Sequence, residues 1–163
     1  MKYLLDSNSY IQAKNFHYHM DFCPAFWSWL ELQFMLGVVG SVEMIGQELR
    51  AGDDELAEWV NDRPHHFVPN DDAQTQEYAG KIIEKVMAGN YNHANRDLFL
   101  GKADPWLIAK AKTLGATVVT HEKLVIDPKN KKVKIPNICK EFGVPCIDIY
   151  DLLRVLKAQF VLA

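Results

Sequence analysis

Residues 104–122 read DPWLIAKAKTLGATVVTHE, and the order of letters already describes a fold. Asp104 and Pro105 predict a helix start, because proline is tolerated at a first helical position whose N–H has no partner in any case. Gly115 predicts its end, and Thr117-Val118-Val119-Thr120 follows as a β-branched strand. A helix feeding a short apolar strand is the repeating unit of an α/β domain. This strand also delivers an acid, Glu122, just past its end.

The same grammar extends in both directions. Upstream, Lys2-Tyr3-Leu4-Leu5 predicts a first strand closed by Asp6, followed by a Ser7-Asn8-Ser9 turn, a short helix, and a helix near 22–35. Gly37 to Gly40 predicts a second strand, Ser41 a cap for a helix over 42–49, and Asp53-Asp54 the start of a helix through Trp59. His66-Phe67-Val68 predicts a third strand, and a helix over 72–87 ends at Gly89-Asn90 with a left-handed cap. Residues 90–96 read as a loop. Downstream, Leu124-Val125-Ile126 and Lys132-Val133-Lys134-Ile135 flank Asp127 to Lys131 and predict an inserted hairpin, before a strand at 145–148 and a helix from Asp151. Without an internal repeat or long linker, residues 1–163 read as one domain.

Composition narrows the function classes. With 48% hydrophobic and 24% charged residues the chain suits a packed core. A net charge of −3 argues against a protein coated by nucleic acid, and leaves room for a local basic patch. Cys23, Cys139 and Cys146 lack C-x-x-C spacing and read as thiols in a reducing, cytoplasmic setting. No apolar run approaches the roughly 18 residues of a membrane span. The six histidines show no H-E-x-x-H pattern, which disfavours zinc hydrolysis.

Four carboxylates fall where apolar segments end: Asp6, Glu48 in Gly46-Gln47-Glu48-Leu49, Asp104 and Glu122. The crevice beyond the carboxyl ends of parallel strands is where α/β proteins bind ligands. Acids gathered there repel one another unless a cation intervenes. A divalent cation such as Mg²⁺ suits such oxygen ligands, which points to a metal-dependent hydrolase with Asp6, Glu48, Asp104 and Glu122 as catalytic, metal-organising residues.

The quartet resembles that of the PIN-like nuclease superfamily: an Asp after the first strand with Asn8 two residues on, an acid in an "EL" helix, an Asp opening an "IA" helix, and an acid after a "VVT" strand. The stretches 103–109, 118–122 and 134–139 resemble a poorly characterised PIN-like subfamily linked to toxin–antitoxin modules. The resemblance covers nearly the whole chain. It implies a three-layer α/β/α sandwich with a central, mainly parallel sheet, and an endoribonuclease that uses Mg²⁺ or Mn²⁺ and is the toxin of a type II toxin–antitoxin module. It also implies an RNA substrate and a small antitoxin protein as partners; a homodimer is a separate expectation, and the lack of a long apolar run predicts no membrane partner. Two positions depart from the family's pattern: Ser7 replaces a common Thr and Glu122 a common Asp, so that Glu122 fits a water-bridged role as well as direct coordination.

Plainer roles stand beside these. Asp6 or Asp104 alone is a helix N-cap worth about 1 kcal/mol, Glu48 a solvated helix acid and Glu122 a turn acid. Asn8 and Thr120 read either as supporting hydrogen-bonders or as turn and strand-end residues. Lys129, Lys131, Lys132 and Lys134 form a basic cluster suited to RNA phosphates or to a solvated hairpin. Phe16, Tyr18, Phe22, Phe26, Trp27, Trp29 and Phe34 suit a core, or a groove for a partner helix. Two other functions compete with the nuclease: a catalytically silent PIN-like binding protein, and a haloacid-dehalogenase-like phosphatase, whose usual second acid is Asn8 here.

Overall fold

Hydrophobic strands buried on both faces need helices on both sides, and the computed structural model, which describes residues 1–162, meets that requirement. Five strands, β1 (Tyr3–Leu5), β2 (Val39–Val42), β3 (Phe67–Val68), β4 (Thr117–Val119) and β5 (Cys146–Ile147), form one sheet in the order β3-β2-β1-β4-β5. Every pairing is parallel, with Leu4 opposite Gly40 on one side and Val118 on the other.

The helices are α1 (Ser7–Asn15), α2 (Pro24–Met35), α3 (Glu43–Arg50), α4 (Glu55–Asn61), α5 (Ala73–Ala88), α6 (His93–Leu100), α7 (Asp104–Leu114), α8 (Ile135–Phe142) and α9 (Ile149–Val155). The chain leaves β1 toward β2 and β3, then returns across the sheet to β4. Right-handed crossovers therefore place α1 to α4 on one face and α5 to α8 on the other. The packing agrees: α1, α3 and α4 contact one another, while α5, α6 and α8 gather around α7. Leu4, Leu5, Val39, Val118, Val119, Leu107 and Ile108 lie at the centre of the core. Because the strand order reverses between β1 and β4, their carboxyl ends border a crevice. Asp6 and Thr120 stand at those two ends.

Gly115 and Gly143 end α7 and α8 at φ +64° and +66°, the left-handed turn that sends each helix into the next strand. Gly89 differs from expectation. Its φ is −76°, and what excludes a side chain there is the Tyr91 ring, against which a Cβ would collide.

Ser41, residues 90–96 and the lysine-rich segment also depart from expectation. Ser41 is not a cap but a buried strand residue whose hydroxyl donates to the Leu5 carbonyl, tying β2 to β1. Residues 90–96 are not all loop, since the Asn92 side chain accepts from the N–H groups of Ala94 and Asn95 and starts α6. The inserted hairpin does not form. Val125 exchanges hydrogen bonds with the Asn137 side-chain amide at 3.0 and 2.8 Å instead of with a partner strand, and Lys131 gives its carbonyl to the Asn92 N–H. Ile135 opens α8 with Pro136 in the first turn, so the apolar Val133 and Ile135 are buried by loop and helix.

The aromatic segment divides. Phe26 and Trp27 are buried, with Trp27 donating its indole N–H to the Tyr18 carbonyl, while Phe16 and Phe22 are exposed. Among the described residues no helix is long and apolar enough to cross a membrane.

Candidate active site

Asp6 occupies the N-cap position of α1 without capping it. Its carboxylate accepts instead from the Thr120 hydroxyl at 2.9 Å across the β1–β4 crevice, and the side chain is buried at 3% exposure. Thr120 Oγ1 in turn accepts from the Asn8 amide at 3.4 Å and from the Glu122 N–H at 3.2 Å, while Asn8 Oδ1 accepts from the His121 N–H at 3.2 Å. Asn8 and Thr120 thus fasten the turn after β4 to the start of α1. That network fixes Asp6.

Asp104 is the first residue of α7 and makes no capping hydrogen bond; the N-cap is Ala103. The Ala103 N–H donates to Glu48 Oε1 at 2.8 Å, so the acid of α3 serves the start of α7. Glu122 performs the same service for α8, accepting from the Ile135 N–H at 3.0 Å through Oε2, with Lys134 Nζ 3.8 Å from Oε1. Backbone N–H groups and the positive end of a helix dipole both favour a carboxylate there. Asp104 is therefore not the cap that its position suggests, and Asp6 holds the N-cap position of α1 without a capping hydrogen bond.

Burial, opposed by the Thr120 hydrogen bond and reinforced by the charges of Glu122 and Glu48, pushes the Asp6 carboxyl up to about 6. Asp104 is pushed up to about 8, first by burial, then by the charges of Asp6, Glu122 and Glu48, against which Lys102 is a small counterweight. Among the described residues Asp6, Glu48 and Asp104 form no salt bridge, and Glu122 has only the long contact with Lys134. Negative charge accumulates here without a paired cation.

No group of three His, Cys, Asp or Glu among the described residues is already arranged as a metal site. Two of the four acids have one oxygen turned to a helix N-terminus. The four side chains offer oxygen atoms only, the donors that a hard divalent cation takes, and Asp6 and Asp104 among them are desolvated. A bound ion would draw on Asp6 and Asp104, with Glu48 and Glu122 contributing the oxygens that their amide bonds leave free.

Beside the acids lies a cleft of about 160 Å³, lined by Asp104 and Glu122 together with Asn95, Lys102, Lys132 and Lys134. The structure thus brings two of the four anticipated lysines to the acids. Lys129 and Lys131 are exposed and stand outside the lining. Lys102 and Asn95 were not anticipated. Lys102 lies two residues before Asp104, a proximity that could have marked it, whereas Asn95 sits on α6, in a segment that reads as loop.

A chain of VapBC2 from Rickettsia felis, solved bound to a DNA fragment from their promoter, is similar in fold, with a TM-score of 0.54 and 16% identity over 91% of this chain and 98% of that one. No curated protein matches the chain. The fold is PIN-like, a parallel five-stranded sheet between helical layers. A family described as a domain of unknown function, DUF4411, has a model that matches residues 3–160, and the chain belongs to that family.

Proposed function

We propose that the protein is a metal-dependent endoribonuclease, the toxin of a type II toxin–antitoxin module. One observation carries the reading: Asp6 and Asp104 are desolvated beside two further acids at the carboxyl ends of β1 and β4, without a cation partner among the described residues. Structural stability alone gives no reason to keep such a pair. The similarity in fold to a chain of VapBC2 supports both the nuclease class and an antitoxin partner.

In this reading Mg²⁺ or Mn²⁺, when bound, supplies charge neutralisation and eases deprotonation of an attacking water. The chain's own residues do the rest. Asp6 is aimed by the Thr120 hydroxyl, which the Asn8 amide holds in place. Glu48 and Glu122 fix the first turns of α7 and α8, and with them the positions of Asp104 and Lys134. Lys102, Lys132 and Lys134 line the cleft, where they can hold phosphate oxygens of a single strand.

The test is cleavage of single-stranded RNA in Mg²⁺ or Mn²⁺ by the parent and by Asp6→Asn and Asp104→Asn. Each variant is expected to lose on the order of 10²-fold or more in kcat, as loss of a charge-stabilising group in an active site does, while retaining a cooperative thermal transition. Full activity in both overturns the assignment. A parent that binds RNA without cleaving it, in either metal, establishes a silent binding protein instead.

A further inference from the structure

A second cavity, of about 220 Å³, opens on the other side of the turn after β4 and is lined by Gln12, Phe16, Tyr18, His121 and Tyr150 among others. We propose that this cavity is a base-binding subsite, taking one unstacked nucleobase of the RNA whose phosphate lies against the acids; the inference rests on the ribonuclease reading and extends it.

The chain path joins the two sites. His121 lines this cavity, while its neighbour Glu122 lines the cleft with Asp104, Lys132 and Lys134. Consecutive Cα atoms are about 3.8 Å apart, so a cationic, phosphate-suited surface and an aromatic one flank a single peptide step. Single-stranded nucleic acid is gripped by that combination, a charged track for the backbone beside π-faces for the bases.

The walls have the required chemistry. Tyr18 is held rigid by stacking on Phe26 at 4.5 Å and 11°, and the His121 ring meets the Tyr150 ring edge-on at 6.1 Å and 77°. Phe16 and Tyr150 are exposed, so their faces are available. The His121 imidazole on this wall has ring nitrogens that can donate or accept a hydrogen bond. Gln12 adds an amide that can do both. The volume is below the ~300–1,000 Å³ of pockets for drug-sized ligands, as suits a single base.

Asn8 links this wall to the acids. Through its side chain it holds both the His121 N–H and the Thr120 hydroxyl that contacts Asp6, so base and phosphate would be registered by one network.

The experiment measures affinity of a short single-stranded RNA in EDTA, where cleavage is suppressed, using a series in which each base in turn is replaced by an abasic residue. Parent, Tyr150→Ala and Phe16→Ala proteins are compared, with the thermal midpoint of each confirming the fold. One abasic position is expected to cost the parent about tenfold, and Tyr150→Ala about tenfold on intact RNA. The two losses should not add, because they delete the same interaction. Fully additive losses, or variants that bind every RNA as the parent does, overturn the subsite, as does an RNA that does not bind at all. Non-additive losses in a protein that never cleaves RNA would retain the subsite and reject the nuclease. Cleavage with a parental KM in both variants would do the reverse.

Discussion

The two aspartates and the two glutamates of the site look alike in sequence and differ in physical situation. Glu48 and Glu122 are satisfied, each accepting from a backbone N–H at the start of a helix on another part of the chain. Asp6 and Asp104 begin helices themselves and cap neither, and both are pushed up from the ordinary 3.8, to about 6 and about 8. The glutamates act as scaffold and the aspartates hold the electrostatic stress. A group that stabilises the fold is satisfied where it stands. One that costs stability is free to bind something else.

The largest expected consequence is in stability against pH without divalent metal. A carboxyl whose folded value is raised gives stability that is complete below its unfolded value and is lost as pH rises through the folded value. For Asp6 that window runs from about 4 to about 6, and for Asp104 from about 4 to about 8. His66, held down to about 3 by burial, contributes the opposite slope up to its ordinary value of 6.5, so the fall is isolated above that pH: urea unfolding should show stability falling from about pH 6.5 to pH 8 by on the order of 1–2 kcal/mol. Asp104→Asn should flatten that fall and be more stable than the parent at pH 8. A parental slope in the variant would mean that Asp104 is not under stress.

Glutamate substitutions sharpen the contrast from the other side. Glu48→Ala and Glu122→Ala should each destabilise by about 1–2 kcal/mol, since each leaves a helix N–H without its acceptor. Glu48→Gln and Glu122→Gln keep an acceptor oxygen and should recover most of that loss. If alanine at both positions is stabilising in chemical denaturation, the glutamates belong with the aspartates.

The smallest effect separates the lysines. Lys132→Ala with Lys134→Ala should lower RNA affinity and reduce the salt slope by about 0.7 for each phosphate no longer neutralised. Lys129→Ala with Lys131→Ala should leave both near parental, because those side chains stand outside the cleft. Equal slopes for the two pairs, read from affinity at several salt concentrations, would place the RNA path elsewhere.

How much of this was legible in the sequence follows from the range of the interactions. The run from Asp104 to Glu122 announces α7, its glycine stop and β4, because cap, proline and β-branched signals act within a few residues. The same signals miss α8. Ile135 to Phe142 follows a lysine-rich segment whose apolar residues suggest a strand, and the partner that replaces a strand is the side-chain amide of Asn137. The four acids could be picked out by position. Their division into scaffold and stressed pairs could not, since it depends on Glu48 reaching Ala103 and on Glu122 reaching Ile135. Asp6 and Asp104 read as caps because each precedes a helical pattern, whereas the Asp6 carboxylate turns to Thr120 and the start of α7 is served by Glu48.

Charging both aspartates in the folded protein is costly, and a divalent cation relieves that cost. The direct measurement is the thermal midpoint at pH 8 of the parent, Asp6→Asn, Asp104→Asn and Glu48→Gln, each across micromolar to millimolar Mn²⁺ and Mg²⁺. A cation that binds the folded state at 100 times its Kd stabilises by about 2.7 kcal/mol. The parent midpoint should rise with metal, Asp104→Asn should begin above the parent and both aspartate variants should respond little, while Glu48→Gln should keep a substantial response. A parent midpoint that does not move with metal, or aspartate variants that respond as the parent does, would contradict the account.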